Sequence, residues 1–438
     1  MTRHTLREWE YLPIGDNAVG GEISRKSADT LVAAAKRSGL GGADGETILV
    51  NGHARLRAQQ IVGVLVTPAA TLEILPKIDG LDEGATRQRL IHMLARVFDL
   101  DIASGAVTQL GWQNQDMLEV LIRLFCDKLF AVVHRGLPRR YVSQQDDLPA
   151  LRGRLDVQRQ FTLLVASPQR LACRYDDLSA DIALNQIMKA AVSRLHQIAR
   201  ASETQRRLSE LALVFADVSA VPVRALPWNE VILDRTNSTW ASLLALARLL
   251  LGDRFQTTSA GAGEGFSLLF EMNTLFEEFI GRTLQRAFAG SEWKVRLQGP
   301  RDHALLSEDN SLRFATKPDI VISDGQGIRL IIDTKWKRLA GPIDDQRRGV
   351  GQADVYQMMA YSQVYSCDRL MLLYPHHNQG MATEGHQTGH LIRGTTDRRL
   401  SIATIGLSDL IGLDERLRQL VVSSVKSPSA LTKSGLVN

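Results

Sequence analysis

The stretch that decides the fold reads KPDIVISDGQGIRLIIDTKWKRL and runs from Lys317 to Leu339. Asp319 opens an apolar run, Ile320-Val321-Ile322, and Asp324-Gly325-Gln326-Gly327 supplies a turn. A second run, Ile328 to Ile332, then delivers Asp333 and Lys335. The pattern predicts two strands, over about Phe314 to Ser323 and Ile328 to Lys337. Side chains alternate along a strand, so residues two apart share a face. Asp333 and Lys335 are therefore expected on one side, Thr334 and Trp336 on the other. The hairpin can bring Asp319 beside the first pair.

Two carboxylates at a strand end pack poorly, but together they suit a hard divalent cation. Mg²⁺, with Mn²⁺ as a substitute, takes oxygen ligands and keeps several waters, so a pair of carboxylates and a substrate phosphate suffice. Asp319 and Asp333 are the candidate metal ligands. Lys335, a compact cation with movable donors, could orient a water or stabilise charge on a phosphate in the transition state. The plain alternative is a pair of turn acids beside a solvated lysine edge, Lys335 and Lys337. The arrangement Pro318-Asp319 followed by Asp333-Thr334-Lys335 resembles the PD-(D/E)xK nuclease pattern.

Two flanking helices bear on the choice. Upstream, where a helix is expected over Leu268 to Phe288, Met272, Leu275, Phe276, Phe279, Ile280 and Thr283 form an apolar stripe. At about 100° per residue Glu277 falls at the border of that stripe and Glu278 further round. Glu277 is the better candidate for a third metal or water contact, with the choice between the two left open. Downstream, a helix over about Gln352 to Tyr365 puts Gln357 and Tyr361 on one face with Asp354 a turn before. Gln357 could hold the lysine or a bound water; Tyr361 and Lys337 are candidate DNA contacts.

The rest of the chain bounds the reading. It has 438 residues, 44% hydrophobic and 23% charged, with a net charge of +4 that permits nucleic-acid binding without requiring it. Its three cysteines are scattered and form no CxxC pair, which speaks against a disulfide framework or a cysteine zinc site and for a reducing cytoplasm. His376, His377, His386 and His390 fall in one loop-rich stretch, but without a nearby cysteine they make a poor zinc site. There is no GxxxxGK[ST] phosphate loop, no apolar signal segment and no run long enough to span a bilayer, so neither an intrinsic P-loop NTPase nor a membrane protein is expected.

The expected fold is a multidomain α+β chain. Residues 1–82 read as a β-rich N-terminal domain, with short runs at Ile48 to Val50, Ile61 to Val66 and Leu72 to Leu75 and a glycine-rich loop from Gly39 to Gly45. Residues 83–258 read as a mostly helical middle region. It includes a strand-like segment at Leu151 to Val157, a helix capped by Ser179 or Asp181, and another from Asn237 or Ser238 to Leu251. Gly261 to Gly265 is a candidate linker. Residues 266–423 are expected to form an α/β domain with a mixed central sheet and a strand at Leu370 to Tyr374, and 424–438 a disordered tail.

Taken together, LFEEF (Leu275 to Phe279), KPDIVI, LIIDTKWK (Leu330 to Lys337), DVYQMMAY (Asp354 to Tyr361) and LLYP (Leu372 to Pro375) resemble the McrC family. LRGRLDV (Leu151 to Val157) and DDLSADIALNQIMKAAV (Asp176 to Val192) are similar to that family's middle region. The resemblance implies a Mg²⁺-dependent PD-(D/E)xK endonuclease, the nuclease subunit of a McrBC system that restricts double-stranded DNA carrying modified cytosine. It places the catalytic positions on Asp319, Asp333 and Lys335, with Glu277 and Gln357 in support. It also implies a partner, a hexameric McrB-like AAA+ GTPase that binds the GTP and is engaged by the middle region. Two other readings stand beside it: a stand-alone nuclease of the same fold, and a non-catalytic activator of an AAA+ motor.

Overall fold

The computed structural model describes residues 2–15, 21–38, 40, 48–102, 115–235, 237–252, 266–339, 349–377, 383–395 and 397–426. The linker expected at Gly261 to Gly265, all of the Gly39–Gly45 stretch but Leu40, and the chain past 426 lie outside these residues. Cα proximity gathers the chain into two compact units, residues 1–117 with 254–438, and residues 118–253.

The first unit begins with β1 (Thr2–Arg7), β2 (Tyr11–Pro13), α1 (Arg25–Arg37), β3 (Leu49–Asn51), β4 (Arg55–Ala58), β5 (Ile61–Val66), β6 (Ala70–Leu75) and α2 (Glu83–Val97). β5 and β6 are apolar almost throughout because both faces are covered. Helix α1 falls inside the region expected to be β-rich. Ser24 caps it, its hydroxyl accepting from the Ser27 N–H, and Ala28, Leu31, Ala34 and Ala35 bury one face.

The second unit takes in most of α3 (Met117–Val133), then β7 (Arg140–Leu148), β8 (Arg154–Leu155), α4 (Val157–Thr162), β9 (Leu171–Ser179), α5 (Ala183–Ile198), α6 (Ser202–Val214) and α7 (Ala241–Leu251). Its helices accompany a three-stranded antiparallel sheet, β7-β9-β8. The segment expected as a strand from Leu151 is only two residues of strand, after which Asp156 caps α4. Ser179 and Asp181 do not cap α5. Its N-cap is Ile182, and the Asp181 carboxylate accepts instead from Gln186 and Ser219. α7 follows a short 3₁₀ turn at Ser238–Trp240 and ends at Gly252, whose φ of 97° only glycine adopts freely.

The chain returns to the first unit with β10 (Phe266–Glu271), α8 (Met272–Ala287), β11 (Lys294–Leu297), β12 (Asp302–Leu306), β13 (Leu312–Thr316), β14 (Ile320–Asp324) and β15 (Gly327–Thr334). It closes with α9 (Gln352–Val364), β16 (Arg369–Pro375), β17 (Gly385–Leu391), β18 (Arg399–Ile405) and α10 (Leu413–Lys426). The expected helix from Leu268 therefore starts four residues later, because Phe266 to Glu271 pair antiparallel with β5. This strand completes a sheet of order β1-β6-β5-β10. Residues 1–82 and 266–423, expected as separate domains, thus share a sheet within one unit.

A six-stranded mixed sheet, β11-β14-β15-β16-β18-β17, carries the decisive stretch. β14 and β15 form an antiparallel hairpin with a bulge at Ile322/Ser323, while β15, β16 and β18 run parallel. Helix α9 covers one face, where Met358 and Tyr361 pack with Val321, Ile331, Leu370 and Leu372. Helices α8 and α10 pack on each other and against β15. No helix among the described residues is long and apolar enough to cross a membrane.

Candidate active site

The hairpin register pairs Ile320 with Ile332, so one step further Asp319 stands opposite Asp333. Asp319 is fixed by Thr334, whose N–H and hydroxyl donate to its Oδ2 at 2.8 and 3.1 Å. Asp333 shares the α9 face with Ile331, and Lys335 follows it there: the Lys335 ammonium lies 2.6 Å from Asp333 Oδ2. The Lys335 N–H donates to Leu373 O at 2.9 Å, so β16 holds the strand end. Trp336 turns the other way and meets the Phe276 ring of α8 at 5.3 Å. Lys335 beside Asp333 and Trp336 turned away follow the alternation expected from the sequence, while the Thr334 hydroxyl is directed at Asp319.

Helix α9 supplies the support for the lysine. Lys335 Nζ reaches Gln357 Oε1 at 3.4 Å, Gln357 Nε2 donates to the Tyr361 hydroxyl at 2.8 Å, and that hydroxyl donates to Lys317 O at 3.2 Å. Tyr361, expected as a DNA contact, is only 4% exposed. Its hydroxyl is used within this chain of bonds, which makes it a brace for Gln357. Lys337 is half-exposed and ion-paired with Asp354.

Glu277 and Glu278 separate clearly. Glu278 pairs with Arg282 one turn on, at 3.3 Å. Glu277 faces the acidic pair: burial and then the charge of Asp319 push its pKa up to about 7, against a hydrogen bond from Gln298. Gln298 also accepts from Lys317 Nζ at 2.6 Å, and its N–H donates to Asp319 O at 2.7 Å. The sequence offered no pattern that singled out Gln298 or Lys317 as part of this cluster.

The electrostatics follow from crowding acids in a buried place. Asp333 is 0% exposed, and burial first, then the neighbouring Asp319, push its pKa up to about 7. Burial likewise raises Asp319 against the Thr334 donors. Burial works against the charge on Lys335, but Asp333 and Asp319 outweigh it and its pKa rises. Lys335 meets Asp333 at Oδ2, while Oδ1 has no hydrogen-bond partner. A buried carboxylate left in that state is costly unless something else meets it. An all-oxygen donor set with orphaned lone pairs fits a hard cation, with Asp319 and Asp333 to hold it and Glu277 beside them. Among the described residues no three His, Cys, Asp or Glu side chains close into a ready-made metal cage. The four histidines likewise have separate partners. His376 meets Thr404, His377 meets Asp79, His386 meets Ser423 and Ser424, and His390 meets Thr388.

The fold and site together define a mixed α/β sheet protein with paired acids and a lysine at one hairpin end. Sequence comparison narrows it. A profile of the McrBC 5-methylcytosine restriction system component family matches residues 56–375, and the chain belongs to that family. No curated protein matches. One similar solved structure is from the half-complex of Thermococcus gammatolerans McrB AAA+ hexamers with bound McrC, at 21% identity and a TM-score of 0.72. It covers 96% of this chain and 99% of that one. A second, from the cryo-EM structure of the T. gammatolerans McrBC complex, has 24% identity and a TM-score of 0.52 over 66% of this chain and 88% of that one. At these identities the likeness is one of fold.

Proposed function

We propose that this chain is the Mg²⁺-dependent DNA endonuclease subunit of a McrBC-like restriction complex, working with an AAA+ GTPase ring whose GTP hydrolysis it stimulates. The observation that carries the reading is the pairing of Asp319 and Asp333 across one hairpin with Lys335 at 2.6 Å. Family membership supports the restriction role, and the McrB hexamers in the similar structure support the ring partner.

Asp319 and Asp333 would hold the cation through carboxylate oxygens, with Thr334 fixing the first of them. When bound, Mg²⁺ supplies Lewis-acid neutralisation of phosphate charge and a more acidic water. Lys335 would donate to a non-bridging phosphate oxygen as a water oxygen bonds to phosphorus and one P–O bond to the sugar breaks, the freed sugar oxygen taking a proton from a solvent water. Gln357 keeps that ammonium in place. Glu277, which stands beside Asp319, would take the proton the water loses.

The test is cleavage of modified-cytosine DNA by the full complex with GTP and Mg²⁺. Asp333→Ala and Lys335→Ala should each lower the rate by more than about a hundredfold while the protein stays folded and still stimulates the partner's GTPase. Near-wild-type cutting by either variant rejects the assignment. Cutting by the chain alone, with neither partner nor nucleotide, would replace the complex by a stand-alone nuclease.

A further inference from the structure

A cleft of about 530 Å³ opens directly beside Lys335. One wall is the strand end that follows the Asp-x-Lys pair, Lys335 to Arg338. The other comes from the first 80 residues: Glu8 and Trp9 from the turn between β1 and β2, Gln60 before β5, and Lys77 after β6. The proposed chemistry uses only Lys335 of these.

The two walls are locked together. Glu8, 0% exposed, accepts from the Trp336 indole N–H at 2.9 Å and from the Lys77 N–H at 3.1 Å. Gln60 donates to Trp336 O at 2.9 Å and to Asn273 Oδ1 at 3.0 Å. Arg338 pairs with Asp79, which also meets His377. The groups facing the cleft are therefore held at set positions relative to Lys335.

What faces it is an aromatic plate and a cation. Trp9 remains 41% exposed and sits at φ 67°, a conformation a bulky side chain adopts only under constraint. The Arg57 guanidinium lies 5.3 Å from its ring. Lys77 is half-buried, its charge acts on Glu8, and no salt bridge within 4 Å holds its ammonium among the described residues. The one acid in the lining, Glu8, is turned inward onto its two donors. A flat apolar group joined to an anion is the complement, and a space of this size takes one such unit, not a double helix.

We propose that this cleft holds the nucleotide adjoining the bond to be cut, its unstacked base against Trp9 and its phosphate at Lys77. The proposal rests on the nuclease reading for its position next to the acids, because Lys335 lines the cleft and also contacts Asp333.

The experiment uses the full chain. Binding of a fluorescein-labelled single-stranded oligonucleotide is followed by anisotropy, and cleavage of DNA by the complex with its ring partner, GTP and Mg²⁺ is measured as KM and kcat. Trp9→Ala and Lys77→Ala should each weaken oligonucleotide binding about tenfold and raise KM to match. Trp9→Phe should recover most of the loss. Lys77→Ala should also flatten the slope of log affinity against log salt by about one. Lys36→Ala, on the exposed face of α1, should bind like the wild type. Wild-type affinity and KM in both Trp9→Ala and Lys77→Ala, with folding intact by thermal melting, overturn the proposal while leaving the nuclease reading standing. Loss of binding in those variants alongside a wild type that never cuts DNA overturns the nuclease reading instead.

Discussion

Asp333 is a buried acid met by Lys335 at one carboxylate oxygen and left without a hydrogen-bond partner at the other, and that organises the chemistry around it. Asp333 and Glu277 are both raised to about 7, so these two are partly protonated at neutral pH, and burial raises Asp319 as well. A cation binding there must displace protons, so Mg²⁺ affinity should increase as pH rises from about 6 to about 8, with proton release measurable by calorimetry in buffers of different ionisation enthalpy. An affinity that is flat or falls over that range would count against metal binding by these acids. The two glutamates of α8 give a sharper contrast. Glu277→Ala should cost about 10- to 100-fold in cleavage rate, as loss of a group supporting a metal site does, whereas Glu278→Ala removes a largely buried acid paired with Arg282, away from Asp319, and should cut normally. The period of two in LIIDTKWK made Asp333 and Lys335 legible as a pair, and the period of 3.6 in LFEEF favoured Glu277. Glu8, Trp9 and Lys77 were not legible. Between 258 and 327 residues separate them from Lys335, and no local periodicity reports a contact of that range.

At the scale of elements, the strand β10 shows where local patterns run out. Phe266-Ser267-Leu268-Leu269-Phe270 is buried on both faces, so it lacks the alternation that marks a half-covered strand and reads equally well as the first turn of α8. What decides it is pairing with β5, about 200 residues earlier. That pairing needs Gly63, at φ 131°, where an added Cβ would lie 2.0 Å from Leu268 O. Gly63→Ala should destabilise the protein by about 3 kcal/mol, seen as a lower urea midpoint, by strain and by parting β5 from β10. An unchanged midpoint would show that the pairing is not needed. Helix α1 was missed for a different reason. Its alanine-rich face has little hydrophobic weight beside the β-branched runs around it, although Ser24 and the Ala28/Leu31/Ala35 spacing carried the signal. The bond between Glu8 and Trp336 links these elements to the candidate site and has its own pH signature. Burial raises Glu8 from 4.5 to about 7, so between those values the unfolded chain ionises and the folded one does not. Stability should therefore fall as pH rises from about 4.5 to about 7 and level off above. Glu8→Gln should flatten that slope in chemical unfolding curves, and an identical slope in both proteins would remove Glu8 from the account.

For the whole molecule, the division into two units poses the question of what the second one is for, since Asp319, Asp333, Lys335, Glu277 and Gln357 all lie in the first. Its surface offers an answer. Leu151, Val157, Phe161, Leu163 and Val165 are between 58% and 74% exposed, and the described side chains of α4 bury nothing. Five large apolar groups within fifteen residues of sequence is more than a solvated surface tolerates without use. They belong to the segment that opens with LRGRLDV, one of the stretches that resemble the McrC middle region. If this surface meets the AAA+ ring, an exposed side chain can be changed there without disturbing the fold. Phe161→Asp should keep the wild-type melting temperature and the Mg²⁺ affinity of the candidate site, yet lose most of the stimulation of the partner's GTPase and, with it, DNA cleavage by the complex. The order of loss matters: stimulation must fall at least as far as cleavage, because the defect lies upstream of the acids. A Phe161→Asp protein that activates the ring normally would place the docking surface elsewhere on the second unit. One that loses cleavage alone would point to these residues touching DNA and not the partner.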